Sequence, residues 1–355
     1  MSPHLTDVVD GAKVVLCCGT GGVGKTTTAA ALAMAAADRG RRVVVVTIDP
    51  ARRLADALGL DGIGNNCVEV ELATTGELWV TMLDTKATFD HLIQRHAHDE
   101  EQATRILDNL YYQNLSTGLS GTREFMAMER LYELHTDERF DLVVVDTPPS
   151  RNALDFLDAP DKLARFLDGR LFRLATPGNR VSRKLTAPIV MFMRRIARVI
   201  SPEVVDDTLA FIEAFGGMEE GFKARAAAVD GLLADTRTAF VLVTSPTAEA
   251  VEESCYFTDR LAESELAVGA IVINRLQPRF TSEPLSALDP TGLPAGVGAQ
   301  VALLHDLAAM ADAEQRELLP LLEACPGAAI GRVEQLDHDV HDLDGIREIA
   351  VLLSD

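Results

Sequence analysis

Residues 19–26, read as Gly19, Thr20, Gly21, Gly22, Val23, Gly24, Lys25 and Thr26, have the spacing G-x-x-x-x-G-K-[ST]. Closely spaced glycines let the chain turn successive backbone N–H groups toward one point. A helix starting directly after them adds its positive end to that point. An arrangement of this kind has a use only between a buried strand and a helix, and the flanking residues fit that demand. Residues 14–18 (VVLCC) are a short apolar run that predicts a buried parallel strand, and residues 26–38 (TTTAAALAMAAAD) predict an alanine-rich helix that stops at Gly40. Residues 43–48 (VVVVTI) predict a second buried strand. The result is a βαβ unit, the start of a doubly wound α/β sheet.

The anion such a loop cradles is a nucleotide phosphate. Lys25 is placed to neutralise β- and γ-phosphates, and the Thr26 hydroxyl to ligate magnesium. ATP and Mg2+ are therefore the expected cofactors. Two aspartates support the same site. Asp49 ends the second strand, in DPA, and Asp146 ends a later one (142–145, LVVV), in DTPP. Ligands of parallel α/β sheets sit at the carboxyl ends of the strands. Asp146 suits a water-mediated magnesium contact, and Asp49 can orient or deprotonate an attacking water. An isolated aspartate at such a place would merely cap the helix that follows it, but with a phosphate loop in the same sheet the functional role is the one expected.

The rest of the chain reads coarsely. Residues 79–83 predict a third strand and residues 86–135 helices. Residues 240–243 (FVLV) and 270–273 (AIVI) return to strands, residues 277–299 read as a proline- and glycine-rich loop, and residues 343–353 as a closing helix. The predicted organisation is a nucleotide-binding core in two parts, 1–150 and 236–355, with a helical insertion over 151–235. Formal net charge is -21, which opposes nucleic acid phosphates, so no nucleic-acid partner is expected. Five scattered cysteines form no C-x-x-C pair and predict neither a disulfide framework nor a zinc site. The N-terminal residues lack the pattern of a signal peptide, and no apolar run is long enough to span a bilayer. A cytoplasmic location is expected.

Taken together, GTGGVGKTT (19–27), DPARRLADAL (49–58) and DTPPSRNALDFL (146–157) resemble the ArsA family of ATPases. GTREFMAM (121–128), FVLVTSPTAEAVEE (240–253) and VINR (272–275) resemble further parts of that family. The resemblance covers nearly the whole chain. It implies a deviant form of the Walker A phosphate loop running through Thr27, with Asp49 as the catalytic aspartate of switch I. Asp146 would open switch II, and Asn274 would contact adenine. It also implies dimers that ATP closes and hydrolysis opens, with a hydrophobic client groove in the helical insertion of some members.

Three departures stand out. The family's signature lysine falls at Thr20, and in the family it reaches the partner subunit's phosphates. A homodimer would then hydrolyse ATP slowly, or a lysine-bearing paralogue would complete the site in a heterodimer. Arg52, Arg53 and Arg151 lie beside the switches and could supply the charge, or be solvated surface. The paired zinc cysteines of the branch that targets tail-anchored proteins are missing, and Cys255 and Cys325 do not match the metalloid site of the arsenite pump.

Residues 169–202 hold seven arginines and one lysine without an acidic residue, including APIVMFMRRIARVI over 187–200. This segment could meet a membrane surface or a protein client, or its apolar side could pack on neighbouring helices. Three functions follow. The first is a magnesium-dependent ATPase that handles a protein or hydrophobic client. The others are a regulatory subunit that hydrolyses little, and the soluble motor of an anion pump.

Overall fold

Strands inside a parallel sheet are covered on both faces, so their sequences are apolar runs rather than alternations. This chain shows the rule clearly. The computed structural model describes residues 3–48, 53–60, 63–110, 112–113, 122–149, 218–280 and 293–354. Its elements run α1 (Leu5–Gly11), β1 (Val14–Gly19), α2 (Lys25–Asp38), β2 (Arg42–Thr47), α3 (Arg53–Ala57), β3 (Val68–Val70), β4 (Glu77–Met82), α4 (Thr85–His96), α5 (Glu100–Leu107), α6 (Thr122–Thr136), β5 (Leu142–Asp146), α7 (Glu219–Leu233), β6 (Thr238–Thr244), α8 (Ala248–Glu263), β7 (Val268–Leu276), α9 (Ala295–Ala324), β8 (Ala329–Glu334) and α10 (Leu343–Leu352). Together the strands form one eight-stranded sheet in the order β3-β4-β2-β5-β1-β6-β7-β8. Every pairing is parallel except β3 with β4 at one edge.

That order sets the functional end of the sheet. The chain leaves β1 for β2, two places away, and later returns through β5 before crossing to β6 on the other side. β1 and its neighbours therefore form the switch point, where the carboxyl ends of strands leave a crevice. Residues of β1, β2 and β5 are buried throughout except Arg42 at the start of β2. Helix α2 is buried along most of its length, and its seven alanines let it lie close to the sheet. With α10 packed against it, α2 belongs to the largest apolar core.

Two compact units divide the chain. One comprises Met1–Met82, Asp137–Leu154 and Thr236–Asp355, and carries the sheet; the other comprises Leu83–Thr136 and Asp155–Asp235. In the second unit, α4, α5, α6 and α7 supply the described helices. Its core gathers Phe89, Leu92, Ile93, Ile106, Tyr112, Phe125 and Phe222. Glu129 is a charged hub among them, 0% exposed, with Arg225 Nε at 2.8 Å and Arg95 at 3.6 Å. Burial pushes its carboxyl pKa up against the opposite pull of Arg225. The buried Tyr112 hydroxyl donates to Asp90 Oδ1 at 2.7 Å, and burial raises its pKa. Tyr112→Phe keeps the ring and removes that bond, so denaturant unfolding should show a loss of about 1.5 kcal/mol. No loss would mean that water replaces the bond.

Several expectations need correction. Residues 295–299, expected in a loop, open the 30-residue helix α9. The antiparallel edge strand β3 and the edge strand β8 did not stand out in the sequence. β3 has only three residues, and β8 alternates buried with exposed positions at its end. The basic segment 169–202 lies outside the described residues. Among the described residues no helix is long and apolar enough to cross a membrane.

Candidate functional site

The site begins where β1 stops. Gly19 ends the strand with φ 148, and a Cβ there would lie 2.1 Å from the carbonyl oxygen of Val243 on the next strand. Only glycine lets the chain leave the sheet at that point. Five residues on, Gly24 has φ 93 and forms the N-cap of α2. Between these two glycines the chain makes the loop foreseen from its spacing. Val23 turns its side chain into the core, while Gly21, Gly22, Gly24, Lys25, Thr26 and Thr27 line a cavity of about 360 Å3.

Lys25 is 8% exposed, and its Nζ donates to the carbonyl of Thr20 at 2.6 Å. The ammonium is thus folded across the loop, bonded to a neutral acceptor. Beside it, the Thr26 hydroxyl donates to Asp146 Oδ2 at 2.8 Å, and the Thr47 hydroxyl donates to the same oxygen at 3.0 Å. Sheet register explains the convergence, because Asp146 is paired with Cys17 on one side and Thr47 on the other. Asp146 is 1% exposed. Thr147 follows it, donates to the carbonyl of Cys17 at 2.8 Å, and also lines the cavity with Pro149.

The charges of this corner mark its neighbours. Burial pushes the Cys18 thiol up to about 12, and burial together with the Asp146 carboxylate raises Cys17 well above its usual value. Neither thiol is available as a thiolate near neutral pH, which removes thiol nucleophiles from the chemistry here. The donor set fits a phosphate chain and a hard cation. Thr26 and Asp146 offer oxygen ligands side by side, and Lys25 offers the counter-charge. Among the described residues no three His, Cys, Asp or Glu side chains form a metal-holding group. A magnesium ion here would depend on Thr26, on Asp146 and on ligand phosphates.

The structure thus brings Gly21, Gly22, Gly24, Lys25, Thr26 and Thr27 to one cavity, with Asp146 hydrogen-bonded to Thr26. Asn274 reaches the same loop from β7, where its Nδ2 donates to the carbonyl of Val23 at 2.9 Å. Asp49, Arg52 and Arg151 lie outside the described residues. Sequence reasoning missed Thr47, Asp56, Arg275, Val340 and His341, the last four of which line the cavity. Asp56 had a signal, since it stands in the same segment as Asp49. Val340 and His341 had none, because they follow β8, a strand that did not stand out.

A family model for anion-transporting ATPases, ArsA, matches residues 12–289. ATPase GET3B of Arabidopsis thaliana is 28% identical over 284 residues, covering 75% of this chain and 64% of the relative. An uncharacterized protein of Streptomyces coelicolor, SCO2128, is 32% identical over 273 residues, with 76% and 64% covered. ATPase ARSA1 of Chlamydomonas reinhardtii is 28% identical over 295 residues, with 78% of this chain and 36% of the relative covered. The alignments therefore span less than two thirds of the length of these relatives. With the phosphate loop, Asp146 and the sheet order all in place, a match over most of its length shows that the chain belongs to the ArsA family of ATPases.

Proposed function

We propose that this chain is a magnesium-dependent ATPase that works as a dimeric nucleotide switch and handles a protein or hydrophobic client. The observation that carries the proposal is the convergence at one cavity of the glycine loop, the Lys25 ammonium and the Thr26–Asp146 oxygen pair. Relatives named as ATPases support the hydrolytic part. The dimer and the client rest on the family resemblance alone.

In this reading the loop N–H groups and Lys25 hold the β- and γ-phosphates. Lys25 exchanges the Thr20 carbonyl for a charged phosphate oxygen, a stronger partner for an ammonium. Thr26 and Asp146 hold magnesium, Asp146 through water. When bound, that cation neutralises charge on the phosphates. Asp49 orients or deprotonates the attacking water, and Asn274 contacts adenine. Steady-state phosphate release tests the proposal. Release that depends on Mg2+ and stops with excess EDTA is the expected result. No release above the protein-free blank, with Mg·ATP still bound in calorimetry, would overturn the enzyme and leave a nucleotide-gated regulatory subunit. One observation favours that second reading. Thr20, which the family resemblance sets at the position of the signature lysine, is neutral and only 6% exposed.

A further inference from the structure

Near the phosphate loop, β7 carries one residue more than the strand beside it. Ile273 pairs with Arg332 and Leu276 with Glu334 on β8, so three steps along β7 match two along β8. Arg275 absorbs the difference with φ 62, a left-handed conformation uncommon outside glycine. Bulges are unusual between parallel strands, and where they occur they re-aim a side chain or end the pairing.

The side chain aimed here is Asn274. Its Nδ2 donates to the carbonyl of Val23 at 2.9 Å, and its Oδ1 accepts from the Arg275 N–H at 2.9 Å. The two partners fix which end of the amide is which, because a flipped amide would face carbonyl with oxygen and N–H with nitrogen. Val23 immediately precedes Gly24, whose carbonyl accepts from Thr28 N at 2.9 Å in the first turn of α2. A Cβ on Gly24 would lie 2.3 Å from Asn274 Nδ2. The asparagine amide therefore occupies the space that any other residue at position 24 would need.

We propose that Asn274 is a positioning residue for the phosphate loop, a strut that runs from the bulge in β7 to Val23 and Gly24. The proposal rests on the nucleotide-binding reading above and adds a task separate from any contact with adenine. Anion-binding N–H groups must be held to about 0.5 Å to act together, and loops need support from packed neighbours to reach that precision. Asn274 supplies it from β7, two places along the same sheet from β1. One amide hydrogen and one lone pair of Oδ1 remain beyond these two bonds, so the same side chain can meet a base and brace the loop.

Inorganic tripolyphosphate separates the two tasks, since it has the phosphates and no base. With magnesium present, calorimetry on Asn274→Ala should show tripolyphosphate bound about three- to tenfold more weakly than by wild type, the fold-change of one net hydrogen bond. ATP should weaken at least as much. Unchanged tripolyphosphate affinity with weakened ATP would make Asn274 a base contact alone and overturn the strut. Unchanged affinity for both would also overturn it. If the alanine variant does not fold by circular dichroism, Asn274→Ser takes its place, being neutral and too short to reach Val23. A wild-type chain that binds neither probe would overturn the nucleotide reading itself, which keeps the two failures apart.

Discussion

Lys25→Ala should lower magnesium-dependent ATP turnover by about 10²–10³-fold, the usual effect of removing one charge-stabilising donor from a water-poor site. The geometry explains the size. Lys25 lies at the start of α2, is nearly buried, and lines the same cavity as the loop residues Gly21, Gly22 and Gly24. Its ammonium has three donors, and the Thr20 carbonyl is one acceptor for them. In a loose phosphoryl transfer negative charge builds on the leaving β-phosphate oxygens as the bond to the γ-phosphoryl group breaks, so a cation held between β- and γ-phosphates acts more strongly in the transition state than in the ground state. Alanine removes the ammonium that the loop itself supplies. Folding should survive, because alanine suits a helix interior better than any other residue. Thermal melting without nucleotide checks that point. Lys25→Arg should not restore the rate, since a planar guanidinium cannot take the position of a compact ammonium. Turnover in the alanine variant above half that of wild type would remove Lys25 from the proposed chemistry.

How much of this was legible depends on what each residue needs from distant parts of the chain. β1, β2, β5, β6 and β7 were readable because a doubly covered strand is an unbroken apolar run. β8 was not, because Arg332 and Glu334 interrupt its apolar residues. α9 opens with Gly296 and Gly298 and contains Pro320, all of which argue against a helix locally. Packing against α8 outweighs them.

The site divides the same way. Lys25, Thr26 and the loop glycines form one contiguous segment with its own physical logic. Asp146 was legible from its place at a strand end. Thr47 was not, since a threonine within an apolar run carries no signal, and only the register beside Asp146 gives it a partner. Arg275 needed the bulge in β7, which no local pattern announces. Asn274 was expected to meet adenine from family likeness. That likeness does not reveal its bond to Val23, which depends on two segments about 250 residues apart closing to 2.9 Å.

Thr20→Lys should raise turnover, and the rise should depend on protein concentration. Thr20 is nearly buried, and its carbonyl already receives the Lys25 ammonium. A neutral side chain there offers no charge to a second subunit. A lysine has a flexible stem that can run along apolar surface and place its ammonium at the rim. If two nucleotide sites face each other, that ammonium would reach the partner's phosphates as an arginine finger does, where the gain is about 10³–10⁵. A lysine added to a loop that did not evolve around it should recover part of this, at least about tenfold. The gain should vanish on dilution, because a cation acting across an interface is lost when the interface opens. Turnover that stays flat in the variant, with Mg·ATP still bound, would mean that position 20 does not limit the rate. Arginine already present beside the switches would then be the remaining source of charge, and Arg52, Arg53 and Arg151 are the residues whose removal should slow the reaction.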